Sequence, residues 1–91
     1  MQVHLKDPGA SLDYSINWGG GYLQPGETVA DSVWTIFPGD MTQVSASHTP
    51  ATATVTVSGG AAGRIYLLTN RITTSADRID ERSITVRVEQ R

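Results

Sequence analysis

The sequence predicts an all-β fold, an immunoglobulin-like antiparallel β-sandwich of six to seven strands. Along its 91 residues, short segments of alternating apolar and polar residues are separated by glycine and proline turns. No segment has a convincing helical period, because Gly and Pro recur too often for a long helix. Tyr66 follows a glycine-rich loop and precedes Leu68. This is the layout of a tyrosine corner, in which the phenol hydroxyl bonds to the backbone near the start of its strand.

The clearest strand signal lies in the last third of the chain. Residues 63–73 and residues 82–88 read as two strands that fold back on each other through a short polar turn. In the second of them, Ile84, Val86 and Val88 alternate with polar residues. This period of two predicts one buried and one wet face.

Earlier segments complete the sandwich. Residues 12–18 alternate cleanly and predict a half-buried strand, and residues 51–57 alternate small apolar residues with threonine. Residues 28–37 are apolar on both sides around Trp34, which favours a central strand with a second contact surface. Residues 42–47 form a weaker strand candidate.

We expect a single domain, with a flexible N-terminal arm over residues 1–11 and the sandwich over residues 12–91. The arm is expected to be extended because Pro8 removes a backbone donor and biases Asp7 away from helix. Cysteine is absent, so no disulfide supports this short chain. Stability therefore comes from the core alone or partly from neighbours in an assembly.

Composition favours some classes of partner over others. The formal net charge is −2, and the seven basic residues are dispersed, which argues against nucleic acid as the main partner. No stretch approaches the roughly 20 apolar residues of a membrane span. Nothing near the start resembles a signal peptide, so we expect the protein to be made and kept in the cytoplasm unless something else carries it out.

Catalysis is not expected. A cysteine nucleophile is excluded, and a serine triad needs a histidine that a carboxylate orients. The two histidines, His4 and His48, have no acidic residue at a suggestive spacing and are expected at the surface. Two histidines without cysteine also give no zinc-ligand spacing. The sequence thus predicts neither an enzyme nor a metal or cofactor site.

The chain has one acidic cluster, formed by Asp77, Asp80 and Glu81. Such groups hold calcium in the loops of some sandwiches. Here Arg78 and Arg82 interleave with them and nearly balance the local charge. We therefore expect surface ion pairs within this segment rather than a bound metal ion.

Four residues are candidates for partner contacts. Trp18 and Tyr22 flank the glycines at positions 19–21 and are expected at an exposed end of the sandwich. There they would anchor a protein contact, stack on a sugar, or pack the loop against the core. Arg71 and Arg82 belong to the terminal hairpin. Their guanidinium groups would point to water or bind carboxylates of a neighbouring subunit.

Several motifs occur together in one order along the chain. They are LDYSINW at 12–18, PGET at 25–28, SVWT at 32–35, VSGG at 57–60, TNRITT at 69–74 and DERSI at 80–84. In this combination the chain resembles the small tailed-phage virion proteins known as fiber–tail adaptors. The similarity runs from about residue 6 to the end.

The resemblance implies a non-enzymatic structural protein, present in several copies in the neck or tail of the virion and assembled in the host cytoplasm. Its partners would be other phage structural proteins, namely tail, connector or fibre subunits. No catalytic, cofactor or metal-binding residue is implied. Two alternatives stay open: a capsid decoration or cement protein, and a carbohydrate-binding module that uses Trp18 and Tyr22.

Overall fold

A computed structural model describes residues 3–90 of the protein, and this part of the chain forms seven β-strands. In chain order they are β1 (Val3–Lys6), β2 (Ser11–Asn17), β3 (Val29–Phe37), β4 (Met41–His48), β5 (Thr52–Gly59), β6 (Ile65–Thr74) and β7 (Ile79–Val88). A short 3₁₀ turn, Trp18–Gly20, follows β2. Over residues 3–90, no helix is long and apolar enough to span a membrane. The all-β prediction is confirmed, and the weak candidate at 42–47 belongs to β4.

The strands form two sheets, with the orders β1-β7-β6-β3 and β2-β5-β4. The hairpin partners β6 and β7 are antiparallel, as predicted, whereas β1 runs parallel to β7. The first strand therefore forms one edge of the larger sheet, and the last strand lies beside it. Two sheets joined by crossovers in this order are consistent with an immunoglobulin-like sandwich.

The prediction that residues 28–37 form a central strand is wrong. Within the described residues β3 pairs with β6 alone and lies at the edge of the larger sheet. Its inner side still packs on the core through Trp34, which is 7% exposed. The apolar residues of its other side, Val33 and Phe37, lie at the surface. Apolar character on both sides of β3 thus reflects an exposed outer face, not burial between two neighbours.

The N-terminal segment contributes a strand that the sequence analysis assigned to an arm. Val3–Lys6 pairs with β7, and the Lys6 side chain is fully buried. Burial of this ammonium is feasible because Nζ donates to the carbonyl oxygens of Gly59, at 2.7 Å, and Asp7, at 3.0 Å. The sandwich therefore includes β1 instead of beginning at residue 12. Residues 1–2 of the expected arm lie outside the described residues, and its flexibility stays a prediction.

The core lies between the sheets and contains the inward rows that the alternation predicted. Trp34 is nearly buried. The fully buried members are Trp18, which follows β2, and eight residues of β5, β6 and β7: Ala53, Val55, Val57, Tyr66, Leu68, Ile72, Val86 and Val88. Partly exposed Ile84 packs against this cluster. Removing this apolar surface from water is the main favourable contribution to folding.

A buried amide, Asn70 on β6, connects separate elements within the core. Its Oδ1 accepts a hydrogen bond from Trp18 Nε1 at 2.8 Å. Its Nδ2 donates to Ser32 Oγ at 2.8 Å and to the Val33 carbonyl oxygen at 3.3 Å. Because Asn70 and Trp18 are both fully buried, these bonds compensate polar groups that have lost water.

The tyrosine corner is present as predicted. The Ala61 backbone N–H donates to the Tyr66 hydroxyl oxygen at 2.7 Å, and the Tyr66 ring is fully buried. Gly60 allows the chain to turn closely here because it has a positive φ of 94°. A Cβ at this position would lie 2.9 Å from Val88 Cγ2. The corner thereby ties the loop after β5 to the core.

We expect Tyr66→Phe to lower the free energy of unfolding by about 1 kcal/mol, because the ring stays packed while the Ala61 N–H loses its acceptor. Urea denaturation followed by tryptophan fluorescence measures the change. Tyr22→Phe is the matched control, since no described residue hydrogen-bonds to the hydroxyl of this half-buried tyrosine. Equal stability of Tyr66→Phe and the wild type would contradict the contribution assigned to the corner.

Candidate partner-binding surfaces

The outer face of the larger sheet carries exposed apolar side chains at one end. Strand register aligns Val3, Leu67 and Phe37 in one row, and Leu5 and Ile65 in the next. We term these five residues the outer apolar patch. They come from β1, β6 and β3, so the patch extends across the sheet.

The exposure of the outer apolar patch is unusually high for large apolar residues in one area. Phe37 is 73% exposed, Ile65 55%, Val3 48%, Leu5 46% and Leu67 41%. Single exposed apolar residues are ordinary. Here five of them share one end of a sheet face, separated by Thr85 and Arg87 of β7, and such a concentration marks an interaction surface.

The charge beside the outer apolar patch is compensated within the protein. Arg87 lies on β7 between Leu5 and Ile65 in the register of the sheet. Its Nε lies 2.8 Å from Glu89 Oε1, so the two side chains form an ion pair. Among the described residues of this end, Arg87 is thus paired with a carboxylate, which makes its desolvation by a partner less costly than that of an unpaired arginine.

A second feature is a group of stacked side chains at the start of β7. Trp18, Tyr22, Glu27, Arg78 and Arg82 form what we term the arginine–aromatic cluster. The two rings pack edge to face, with their centroids 5.2 Å apart. Arg78 Cζ lies 4.5 Å from the Tyr22 ring centroid, and Arg82 Cζ lies 4.6 Å from that of Trp18. Both guanidinium groups are within cation–π range of an aromatic face.

Within this cluster, Glu27 binds Arg78 through both carboxylate oxygens. Arg78 Nε donates to Glu27 Oε2 at 2.8 Å and Arg78 Nη2 donates to Oε1. Thr74 Oγ1 adds a bond to Oε2 at 2.6 Å, and the Gln24 N–H donates to Oε1 at 3.0 Å. The Arg78 bonds, assisted by those from Gln24 and Thr74, lower the pKa of Glu27 to about 2.

Arg78 was expected to form an ion pair within the acidic segment at positions 77–81, but it pairs with a carboxylate outside this segment. Arg78 binds Glu27, 51 residues away, instead of Asp77 or Asp80. Asp80 accepts a hydrogen bond from the Glu81 backbone N–H at 2.8 Å. Within residues 3–90, no group of three acidic or histidine residues is arranged to hold a metal ion.

The structure brings three of the four candidate contact residues together. Trp18 is fully buried, which corrects the exposure expected for it, because Arg82 and Tyr22 pack on its ring and Asn70 binds its indole N–H. Tyr22 is half-buried and Arg82 is exposed. Arg71 lies apart on the outer face of β6, opposite Glu81 on β7.

The outer apolar patch was missed among the candidate residues. Its signal lies in the wet side of the terminal hairpin, where Ile65 and Leu67 occupy positions that an exposed strand face would fill with polar residues. Phe37, next to Leu67 in the sheet, continues the same signal on β3.

Fold and surface together define a small all-β sandwich protein with exposed apolar and arginine-bearing areas. The chain belongs to the podophage GP4 fiber-tail adaptor protein gp77 family, whose model matches residues 6–87. The resemblance found in the sequence is confirmed. Among curated proteins, none matches the chain. A fiber–tail adaptor is a structural component of the phage virion and implies contacts with other tail or fibre proteins.

We expect Glu27 to stabilise the folded protein at neutral pH and to lose this contribution in acid. Its pKa is lowered from 4.5 to about 2 in the folded protein, so its contribution is complete above about pH 4.5 and is lost as the pH falls toward 2. Glu27→Gln should melt at a lower temperature than the wild type at pH 7, and the difference should shrink between pH 4.5 and pH 2.

Thermal melts followed by circular dichroism across this range measure the effect of Glu27. Glu89→Gln, which removes the carboxylate of an exposed pair with Arg87, is the control and should follow the wild type closely. Melting curves of Glu27→Gln that stay a constant distance from those of the wild type down to pH 2 would contradict the assignment.

Proposed function

We propose that the protein is a non-enzymatic adaptor that docks onto tail, connector or fibre subunits in the neck or tail of the virion, in several copies per particle. Membership of the fiber–tail adaptor family supports this role. The structural observation that carries the proposal is the outer apolar patch, which offers a preformed surface for a protein partner.

The outer apolar patch suits docking because it lies on a regular sheet. Its members project from paired strands, so little conformational entropy is lost when a partner covers them. Removing this apolar surface from water favours association. A cysteine-free chain of this size also gains stability from any partner that binds its folded form alone.

The two alternative functions differ in what supports them. A carbohydrate-binding module would need Trp18 and Tyr22 as an open stacking platform, and the burial of Trp18 disfavours it. A capsid decoration protein would use the same kind of apolar surface, but the family favours the tail. Counting copies per particle separates the two, because decoration proteins bind head subunits in far higher number.

The double substitution Phe37→Thr with Leu67→Thr tests this proposal. Threonine keeps strand propensity but removes most of the apolar area at two neighbouring exposed positions. We expect affinity for particles that lack the protein to fall at least about tenfold, corresponding to about 1.4 kcal/mol. Co-sedimentation with such particles measures the binding.

Val44→Thr is the matched control for this experiment. Val44 is 56% exposed on β4 of the other sheet, so its substitution removes exposed apolar area away from the patch. We expect the control to bind stoichiometrically, as the wild type should. Undiminished binding of the double variant would contradict docking through the outer apolar patch, and failure of the wild type to bind would count against the adaptor function.

A further inference from the structure

Arg78 and Arg82 occupy similar positions in the arginine–aromatic cluster but differ in their acceptors. Each guanidinium lies over an aromatic ring at nearly the same distance, 4.5 Å for Arg78 over Tyr22 and 4.6 Å for Arg82 over Trp18. Arg78 is bound by both oxygens of the Glu27 carboxylate. The protein thus contains one complete example of an arginine that is stacked on a ring and bound by a carboxylate.

Arg82 has the same stacking without the carboxylate. Among the described residues, no carboxylate lies within 4.0 Å of its guanidinium and no acceptor hydrogen-bonds to it. The side chain is exposed, and its Cζ also lies 5.8 Å from the Tyr22 centroid. Contact with two rings restricts the side chain, while the planar group keeps N–H donors for an acceptor.

The backbone beside Arg82 has an open side as well. β7 pairs with β6 over most of its length, but β1 covers the other side only from Thr85 to Val88. Within the described part of the chain, residues 79–82 therefore pair with no strand on this side. The Glu81 N–H donates to Asp80 Oδ1 at 2.8 Å in this stretch, a local hydrogen bond that an added strand would replace. β1 itself shows that this side of β7 accepts a parallel strand. An open edge of this kind is a template for an added strand.

We propose that Arg82 binds a carboxylate on an extended segment of a partner subunit, which adds as a strand to the free edge of β7. The proposal rests on the adaptor function, because it names how one partner is held. The partner's carboxylate would accept paired hydrogen bonds from the planar guanidinium of Arg82, as the Glu27 carboxylate does from Arg78. Stacking on Trp18 lowers the entropy lost on binding, because the side chain is already restricted.

The neighbours of Arg82 define the kind of segment that fits. Asp80 and Glu81 precede it on β7 and would repel a second negative charge nearby. Ile79, which is 55% exposed, offers an apolar contact at the start of the same edge. The expected segment is therefore an extended one with a single carboxylate among apolar or neutral residues, rather than an acidic tract.

Two variants of Arg82 test the proposal in the full-length protein. Arg82→Gln removes the charge and the paired donors, and we expect its affinity for particles lacking the protein to fall at least about tenfold. Arg82→Lys keeps the charge but loses the planar fork and should bind with intermediate affinity. Arg64→Gln is the control, since this exposed arginine lies 3.9 Å from Asp40 and belongs to neither proposed site.

Hydrogen exchange tests the backbone part of the same proposal. In the complex with particles, we expect the amides of residues 79–82 to exchange more slowly than in the free protein. Binding of Arg82→Gln equal to that of the wild type, or unchanged exchange over residues 79–82, would overturn the proposal. Melting temperatures of the free variants show whether a loss of affinity merely reflects unfolding.

A titration of the isolated protein with sodium acetate separates this proposal from the adaptor function. We expect the Arg82 Nε–H resonance to shift more with acetate than with equal sodium chloride, while that of Arg78, already bound by Glu27, stays unchanged. An Arg82 shift no larger than that of Arg64 would overturn the carboxylate site. Absence of particle binding with a preserved Arg82 shift would instead count against the adaptor function.

Discussion

The arrangement of the Trp18 turn and β3 against β6 depends on one buried polar constraint, the hydrogen bond from the Trp18 indole to Asn70. A buried amide without partners is destabilising, so Asn70 restricts which arrangements of Trp18 and β3 are compatible with a closed core. Apolar packing alone is tolerant of small displacements, whereas these bonds require a particular geometry. Arg82 and Tyr22 pack against the ring of the same indole. Trp18 therefore connects the core directly to the arginine–aromatic cluster.

The alternation of side chains was sufficient to predict most of the strands and their inner faces. Tyr66 also carries a local signature, because the corner needs only a tyrosine, a nearby glycine and the loop between them. Whether a strand lies at the edge of a sheet is harder to predict, because it depends on whether a distant segment pairs with its second side. The apolar residues on both sides of β3 therefore predicted a central strand, although β3 lies at the edge of its sheet. On its outer side, Phe37 is exposed and belongs to the outer apolar patch.

The features that sequence reasoning missed are set by residues far apart in the chain. Glu27 and Arg78 are separated by 51 positions, so the nearer acids appeared to be the natural partners of the arginine. Lys6 carries a charge, so its burial was not expected from the sequence. Its ammonium group is nevertheless buried because the carbonyl oxygens of Asp7 and Gly59 accept hydrogen bonds from it. Trp18 is adjacent to flexible glycines, which favoured exposure, yet Asn70 holds it inside. In each case a partner distant in the sequence determined how the side chain is placed.

The two proposed contact areas differ in the physical property that each supplies. Burial of the outer apolar patch is favourable in many relative orientations, because the hydrophobic effect is non-directional. A guanidinium that binds a carboxylate through paired hydrogen bonds constrains both distance and angle. Under the two proposals, the patch would supply affinity, while Arg82 and the free edge of β7 would define orientation. An adaptor that joins two structures needs both, since affinity without a defined direction would not align a fibre with a tail.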